Sequence, residues 1–170
     1  MSRPVRLVKH GMTISEFRML KIVSIIIIVG IVGIVVFTMY VRETKPLSGY
    51  EIKTLQIGRA KLEVFIADTE EKRTRGLMGV TTLATDSGML FTFPDSSLRT
   101  FWNKNTLVPL DLIWIADGRV VDISSLPSVT QSGNQIVTIS SPEAVNWVVE
   151  VNAGWASAHG IQVEKEVFLK

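Results

Sequence analysis

The chain has 170 residues, a formal net charge of +2 and no cysteine, which excludes disulfide frameworks, thiol nucleophiles and cysteine-ligated metal sites. Residues 1–45 carry seven Lys or Arg against two acidic residues, hence +5, whereas residues 46–170 carry eleven against fourteen, hence −3. The larger part therefore lacks the basic surplus that nucleic-acid binding needs.

An apolar run of twenty residues begins at Ile22, ends at Val41 and contains no charged side chain. At about 1.5 Å per residue it rises roughly 30 Å, the thickness of a bilayer core. The run predicts a transmembrane helix whose partner is the lipid bilayer. Basic residues are more frequent before the run than after it, so the positive-inside rule places the N-terminus in the cytoplasm.

A cleaved signal peptide is the alternative, but its apolar region is usually about 7–15 residues long and ends in a small-residue cleavage site. The run here is longer and continues into TMYVRETK, so an uncleaved anchor in the cytoplasmic membrane is favoured. The predicted organisation is a basic cytoplasmic segment 1–21, a transmembrane helix 22–41, a linker 42–56 and an extracytoplasmic β-rich domain 57–170.

Three local patterns open the larger domain. KLEVFIAD (61–68) alternates apolar and other side chains, which predicts a strand. DTEEKRTRGLMG (68–79) predicts a short helix with Asp68 or Thr69 as N-cap and an end near Gly76 or Gly79. GMLFTFP (88–94) predicts a strand that Pro94 closes.

LDLIWIADGRVVDIS (110–124) predicts a β-hairpin, because Asp117 and Gly118 suit a two-residue turn with positive φ. A regular register pairs Asp111 with Ser124. Asp111 and Asp122 then become diagonal neighbours on one face, roughly 7–8 Å apart.

The C-terminal part predicts a strand over 145–151, a short helix within AGWASAH (153–159) capped by Asn152, and a last strand over 166–169. Several short strands with two brief helices predict a compact α+β domain, mainly β and barrel-like.

Four ordered blocks, RGLMG, GMLFTFP, FWNKNTLVPLDLIWIADGRVVDI and VVEVNAGWASAHGI, give the chain a family resemblance. From about Lys61 to Leu169 it resembles the domain of unknown function 192 family. The resemblance implies a small β-rich domain, often exported or membrane-tethered, with no established activity. Asn103 stands where that family usually has Met, and Glu164-Lys165 stands where it has a Gly-Asp turn.

The cluster FWNKNT (101–106) has two interpretations. As a pocket, Trp102 forms a wall and the polar residues offer donors to an anionic or polyhydroxylated ligand. As a turn, Asn105 and Thr106 bond the backbone, and Lys104 neutralises Asp111 or Glu150. Arg75 either grips an anion or pairs with a glutamate on its own helix. The candidate ligand-binding residues are Arg75, Trp102, Lys104, Asn105, Thr106 and Asp111.

A non-enzymatic ligand-binding or accessory module of the cell envelope is the favoured function, with a small ligand or an envelope protein as partner. One alternative is a hydrolase of envelope saccharide that uses Asp111, Asp122 or Glu150, since such a pair needs about 5–10 Å of separation. Another is a structural protein-interaction domain. No cofactor is predicted, and the spacing of acidic and histidine residues predicts no metal site.

Overall fold

The structure, a computed structural model, describes residues 14–42 and 47–170. The chain divides into two compact units, Met1–Thr44 and Lys45–Lys170. Most of the predicted basic segment and residues 43–46 of the predicted linker lie outside the described residues.

The first unit contains helix α1 (Ile14–Arg42). Among the residues that the structure describes, no helix combines the length and hydropathy that crossing a membrane requires. This finding corrects the predicted location: a single-pass protein of the cytoplasmic membrane with an extracytoplasmic domain is contradicted.

The second unit contains a seven-stranded sheet in the order β6-β5-β8-β3-β2-β1-β9 and a two-stranded sheet of β4 and β7. The strands are β1 (Ile52–Ile57), β2 (Ala60–Ala67), β3 (Ser87–Ser97), β4 (Thr100–Trp102), β5 (Leu110–Ala116), β6 (Arg119–Leu126), β7 (Thr138–Ser140), β8 (Val145–Asn152) and β9 (Val167–Leu169). The helices are α2 (Glu70–Arg75) and α3 (Trp155–Ala158). Strands β2 and β3 pair in parallel, and the other pairs are antiparallel.

The two edge strands of the large sheet, β6 and β9, approach each other near the β5–β6 turn. The N–H of Val120 donates to the carbonyl of Lys165 at 3.0 Å, and the N–H of Val167 donates to the carbonyl of Gly118 at 2.8 Å. An isolated bridge joins Arg119 to Glu166. The sheet therefore curves into a half-barrel, which confirms the mainly β, barrel-like prediction.

The two faces of the large sheet carry separate apolar clusters. Along β8, Val149 and Val151 belong to the first cluster, with Trp155 of α3. Val148 belongs to the second cluster, with Phe91 of β3. Because side chains alternate along a strand, Glu150 points to the same face as Val148 and is buried there.

The N-cap of α2 is Thr69, one of the two predicted candidates, and its Oγ1 accepts a hydrogen bond from the N–H of Lys72 at 3.3 Å. The C-cap is Gly76, whose φ of 49° favours glycine. Strand β3 differs from its prediction, since it continues past Pro94 to Ser97. Its pairing with β8 is irregular between Thr92 and Ser97, and proline is tolerated at such irregularities.

The predicted turn of the β5–β6 hairpin is confirmed. Asp117 has φ of 49° and Gly118 has φ of 72°, the two positive values that a two-residue turn needs. Immediately beyond the turn, Ile115 pairs with Val120, in agreement with the predicted register.

The register of the hairpin changes one residue further from the turn. Trp114 pairs with Asp122, so Val121 is an extra residue on β6 and forms a β-bulge. Asp111 consequently pairs with Ser125. Because paired residues share a face and positions three apart on a strand do not, Asp111 and Asp122 lie on opposite faces. The predicted diagonal pair of carboxylates is therefore wrong.

Helix α3 is not capped by Asn152 as predicted. Its N-cap is Gly154, with φ of 85° and no side-chain cap within its own segment. The Asn152 amide instead donates from Nδ2 to the carbonyls of Leu83 and Ala84, each at 3.1 Å. These bonds attach the end of β8 to the segment before β3.

Candidate functional site

A cleft opens to solvent where the end of α2 meets β3, β8 and the segment 101–106. We call it the Glu150 cleft. Its lining consists of Arg73, Thr74, Arg75, Gly76, Leu77, Met78, Phe91, Phe101, Trp102, Thr106 and Glu150.

Glu150 is the buried acidic residue of this cleft. It lies on β8 between Met89 of β3 and Leu112 of β5, and only 5% of it is exposed. Its Oε2 atom has no hydrogen-bond partner among the described residues. Burial raises the pKa of the Glu150 carboxyl to about 8, because the apolar surroundings disfavour the charged form. At neutral pH the group is therefore a carboxylic acid, which can donate one hydrogen bond and accept others.

The two arginines of the cleft differ in their contacts. Arg73 is engaged, since its Nη1 donates to the carbonyls of Asp68 at 2.8 Å and Thr92 at 2.9 Å. Arg75 is exposed, and within residues 14–42 and 47–170 its guanidinium forms no hydrogen bond or ion pair. The ion pair with a glutamate of its own helix, one of the two predicted interpretations of Arg75, is not formed among these residues. Arg75 therefore presents unused donors beside the cleft.

Aromatic rings form one wall of the Glu150 cleft. Phe101 meets Phe91 edge to face with centroids 4.8 Å apart, and it meets Trp114 in the same way at 5.6 Å. Trp102 lies at the rim and is 43% exposed. Lys104 Nζ lies 5.0 Å from the centroid of the Trp102 ring, so this ammonium contacts an aromatic face rather than a carboxylate.

The segment after Trp102 is a tight turn. The N–H of Thr106 donates to the carbonyl of Asn103 at 3.0 Å, and Asn105 has φ of 53°. The Asn105 carbonyl accepts from the N–H of Gly79 at 3.0 Å, which joins the turn to the segment after α2. Of the polar residues predicted here, Thr106 lines the cleft, whereas Lys104 and Asn105 lie outside its lining.

Asn103 contributes to the structure in a way that sequence reasoning missed. It is fully buried, and its Oδ1 accepts from the N–H of Val137 at 2.8 Å. Its Nδ2 donates to Ser132 Oγ at 2.9 Å and to the carbonyl of Gln135 at 3.4 Å. These bonds connect the end of β4 to the polar loop that precedes β7. The departure from the usual family residue at this position is a signal that could have indicated this role.

The three predicted catalytic carboxylates are far from equivalent. Asp111 Oδ2 accepts from the backbone N–H groups of Gly154 at 2.9 Å and Ala156 at 3.1 Å, so it supports the start of α3. Asp122 Oδ2 accepts from Ser124 Oγ at 3.0 Å. Of the three, Glu150 alone lines the cleft.

Four of the predicted site residues thus meet in one place: Arg75, Trp102, Thr106 and Glu150. Sequence reasoning missed the apolar part of the lining, because Met78, Phe91 and Phe101 match core patterns in the sequence. In the part of the chain that the structure describes, no group of three or more His, Asp or Glu side chains could hold a metal ion.

The fold and the cleft define a small α+β half-barrel with one titratable group buried at an aromatic-walled cleft. Residues 53–169 match the domain of unknown function 192 (DUF192), described as "Uncharacterized ACR". The chain belongs to this family, which confirms the predicted resemblance.

Two solved structures are similar to the chain. A protein from Sinorhizobium meliloti 1021, described only provisionally as a transcription regulator, has 32% identity and a TM-score of 0.64, with 71% of this chain and 95% of that chain covered. A protein of unknown function from Novosphingobium aromaticivorans DSM 12444 has 28% identity and a TM-score of 0.65, with 74% and 90% covered. None of the curated proteins matches the chain.

Proposed function

We propose that residues 47–170 form a non-enzymatic binding module for a small molecule, which enters the Glu150 cleft. The observation that carries this proposal is the Glu150 Oε2 atom, which is buried and has no partner among the described residues. An unpaired buried polar group costs about 1–3 kcal/mol, and a ligand that supplies the missing partner recovers part of that free energy.

The other members of the lining support the same proposal. Small-molecule sites are mostly apolar and contain a few polar groups that converge on the ligand. In this cleft Trp102 supplies an aromatic rim, Thr106 supplies a hydroxyl, and Arg75 supplies a guanidinium that is not hydrogen-bonded within the described part of the chain. These three residues are the proposed ligand contacts beside Glu150.

The pair of carboxyl groups on which saccharide hydrolysis was argued, Asp111 and Asp122, is not formed. That chemistry needs two carboxyl groups about 5–10 Å apart across a shared substrate. Asp111 and Asp122 lie on opposite faces of the sheet, and Asp111 is bonded to the first turn of α3. A regulator acting on nucleic acid is not proposed either, because residues 46–170 carry eleven basic and fourteen acidic side chains, a net charge of −3.

Saturation-transfer NMR on the full-length chain, with a library of molecules of up to about ten non-hydrogen atoms, tests the proposal. The Met78→Trp variant fills the cleft from its partly exposed side, whereas Leu98→Trp adds the same side chain at a position that is 68% exposed and outside the lining. We expect a subset of molecules to bind the parent and Leu98→Trp but not Met78→Trp, with all three proteins unfolding at similar temperatures. Equal binding to all three proteins, or binding to none, contradicts the proposed site.

A further inference from the structure

We infer that the ligand of the Glu150 cleft is a small carboxylate with a compact apolar body, in which Arg75 contacts the carboxylate and Glu150 donates to a ligand oxygen. This inference rests on the proposed function and narrows it to one class of compound.

The charges of the lining favour an anion. The ionisable side chains that line the cleft are Arg73, Arg75 and Glu150. Burial is the cause of the raised Glu150 pKa, and neither arginine offsets it, so the acid remains uncharged at neutral pH. A cationic ligand would meet two guanidinium groups with no carboxylate to pair with, whereas an anion meets donors only.

The hydrogen-bonding capacity of the cleft favours a carboxylate in particular. The planar guanidinium of Arg75 matches the two oxygens of a carboxylate and can bind them with parallel hydrogen bonds. The protonated Glu150 needs an acceptor for its O–H, which a ligand oxygen provides. Arg73 is occupied by the carbonyls of Asp68 and Thr92, so Arg75 is the arginine with its donors available.

The apolar walls of the cleft disfavour a polyhydroxylated ligand. Leu77, Met78, Phe91, Phe101 and Trp102 would face sugar hydroxyls without offering hydrogen bonds, and each unpaired hydroxyl would cost free energy. A carboxylate with a compact apolar body covers these walls without leaving hydroxyl groups unpaired.

Four probe molecules test whether the cleft selects carboxylates, with the full-length chain at pH 6: benzoate, benzyl alcohol, benzylamine and inorganic phosphate. The first three share one ring and differ in charge. We expect benzoate to bind at least about tenfold more tightly than benzyl alcohol, because hydrogen bonds to charged groups are the stronger ones. Benzylamine should not bind at millimolar concentration, and phosphate should bind more weakly than benzoate because it leaves the apolar walls uncovered.

Two pairs of variants assign the contacts. Arg75→Met should lower benzoate affinity about tenfold and remove the preference over benzyl alcohol. Arg59→Met removes the same charge at an exposed position outside the lining, and should leave affinity within about twofold. Glu150→Gln keeps a donor and should keep benzoate binding, whereas Glu150→Leu should weaken it at least about fivefold.

Some outcomes overturn the inference while leaving the proposed function intact. If benzyl alcohol or benzylamine binds as tightly as benzoate, and Met78→Trp abolishes that binding, the cleft does not select carboxylates. Phosphate binding more tightly than benzoate would show that the apolar body is not recognised. If none of the four probes binds while other library molecules bind and are lost in Met78→Trp, the carboxylate class is wrong. If those molecules also fail, the binding function is wrong too.

Discussion

The carboxylate of Asp111 on β5 accepts a hydrogen bond from the backbone N–H of Ala156, the second residue of α3, at 3.1 Å. The same oxygen accepts from the N–H of Gly154 at 2.9 Å. The first N–H groups of a helix have no partner within the helix, and a negative charge near them is favourable. Asp111 therefore fixes the short helix to the sheet from 45 residues away in the sequence.

Substitution of Asp111 should consequently affect stability rather than ligand binding. Asp111→Asn keeps an acceptor but loses the charge, and we expect it to lower the free energy of unfolding by about 1 kcal/mol. Asp111→Leu leaves both N–H groups unpaired, so we expect a loss of more than about 2 kcal/mol. Urea denaturation measures both changes. Asp117→Asn, in the hairpin turn where asparagine is well tolerated, is the control and should change stability by less than about 0.5 kcal/mol.

Glu150 should make stability depend on pH. Its pKa is about 8 in the folded protein and near 4.5 in the unfolded chain, so the folded state holds one more proton between these values. The contribution of Glu150 to the free energy of unfolding is fully present below pH 4.5. It declines by about 1.4 kcal/mol per pH unit above that value and stops declining once the pH has risen through about 8. Chemical denaturation of Glu150→Gln between pH 5 and pH 9 should show a smaller decline than the parent. The control Glu63→Gln, on the exposed side of β2, should show the same decline with pH as the parent. A parent protein whose unfolding free energy does not decline in this range would contradict the raised pKa of Glu150.

The indole N–H of Trp114 depends on Ser124. Trp114 is fully buried, and its Nε1 donates to Ser124 Oγ at 2.9 Å across the bulged hairpin. Ser124→Ala leaves this donor unpaired, so we expect a loss of about 1–3 kcal/mol in urea denaturation. Ser125→Ala changes the neighbouring, exposed hydroxyl and should cost less than about 0.5 kcal/mol. Equal effects of the two substitutions would be inconsistent with the observed register.

Asn103 should control the order of the polar loop before β7. Its Oδ1 accepts the N–H of Val137 at 2.8 Å, so this amide is protected by a single side chain. In Asn103→Leu we expect hydrogen exchange at Val137 to accelerate at least about tenfold, while exchange in the β3–β8 ladder changes little. Unchanged protection at Val137, measured by amide exchange NMR, would contradict this role. The magnitude follows from the loss of about 1.4 kcal/mol or more of local stability when the acceptor is removed.

Several local features were predicted correctly because neighbouring residues determine them. Thr69 caps α2 through a bond to a residue three positions later, and Asp117-Gly118 forms the turn through its own backbone angles. The blocks of the family resemblance extended this local information to a mainly β fold and the correct family.

Other features depended on pairing across long distances, which local patterns do not specify. A single extra residue at Val121 places Asp111 and Asp122 on opposite faces, and no local signal distinguishes a bulge from a regular hairpin there. The length and composition of residues 22–41 predicted membrane crossing, which the described helix does not support.

The sequence by itself determined the family, the mainly β character and the short-range caps and turns, because these follow from residue types within a few positions. Only the tertiary structure decided the candidate site. Glu150 is buried because Met89 and Leu112 flank it from β3 and β5, and burial is what keeps its carboxyl protonated. Arg75, the last residue of α2, lines the same cleft as Glu150 although the two residues are far apart along the chain.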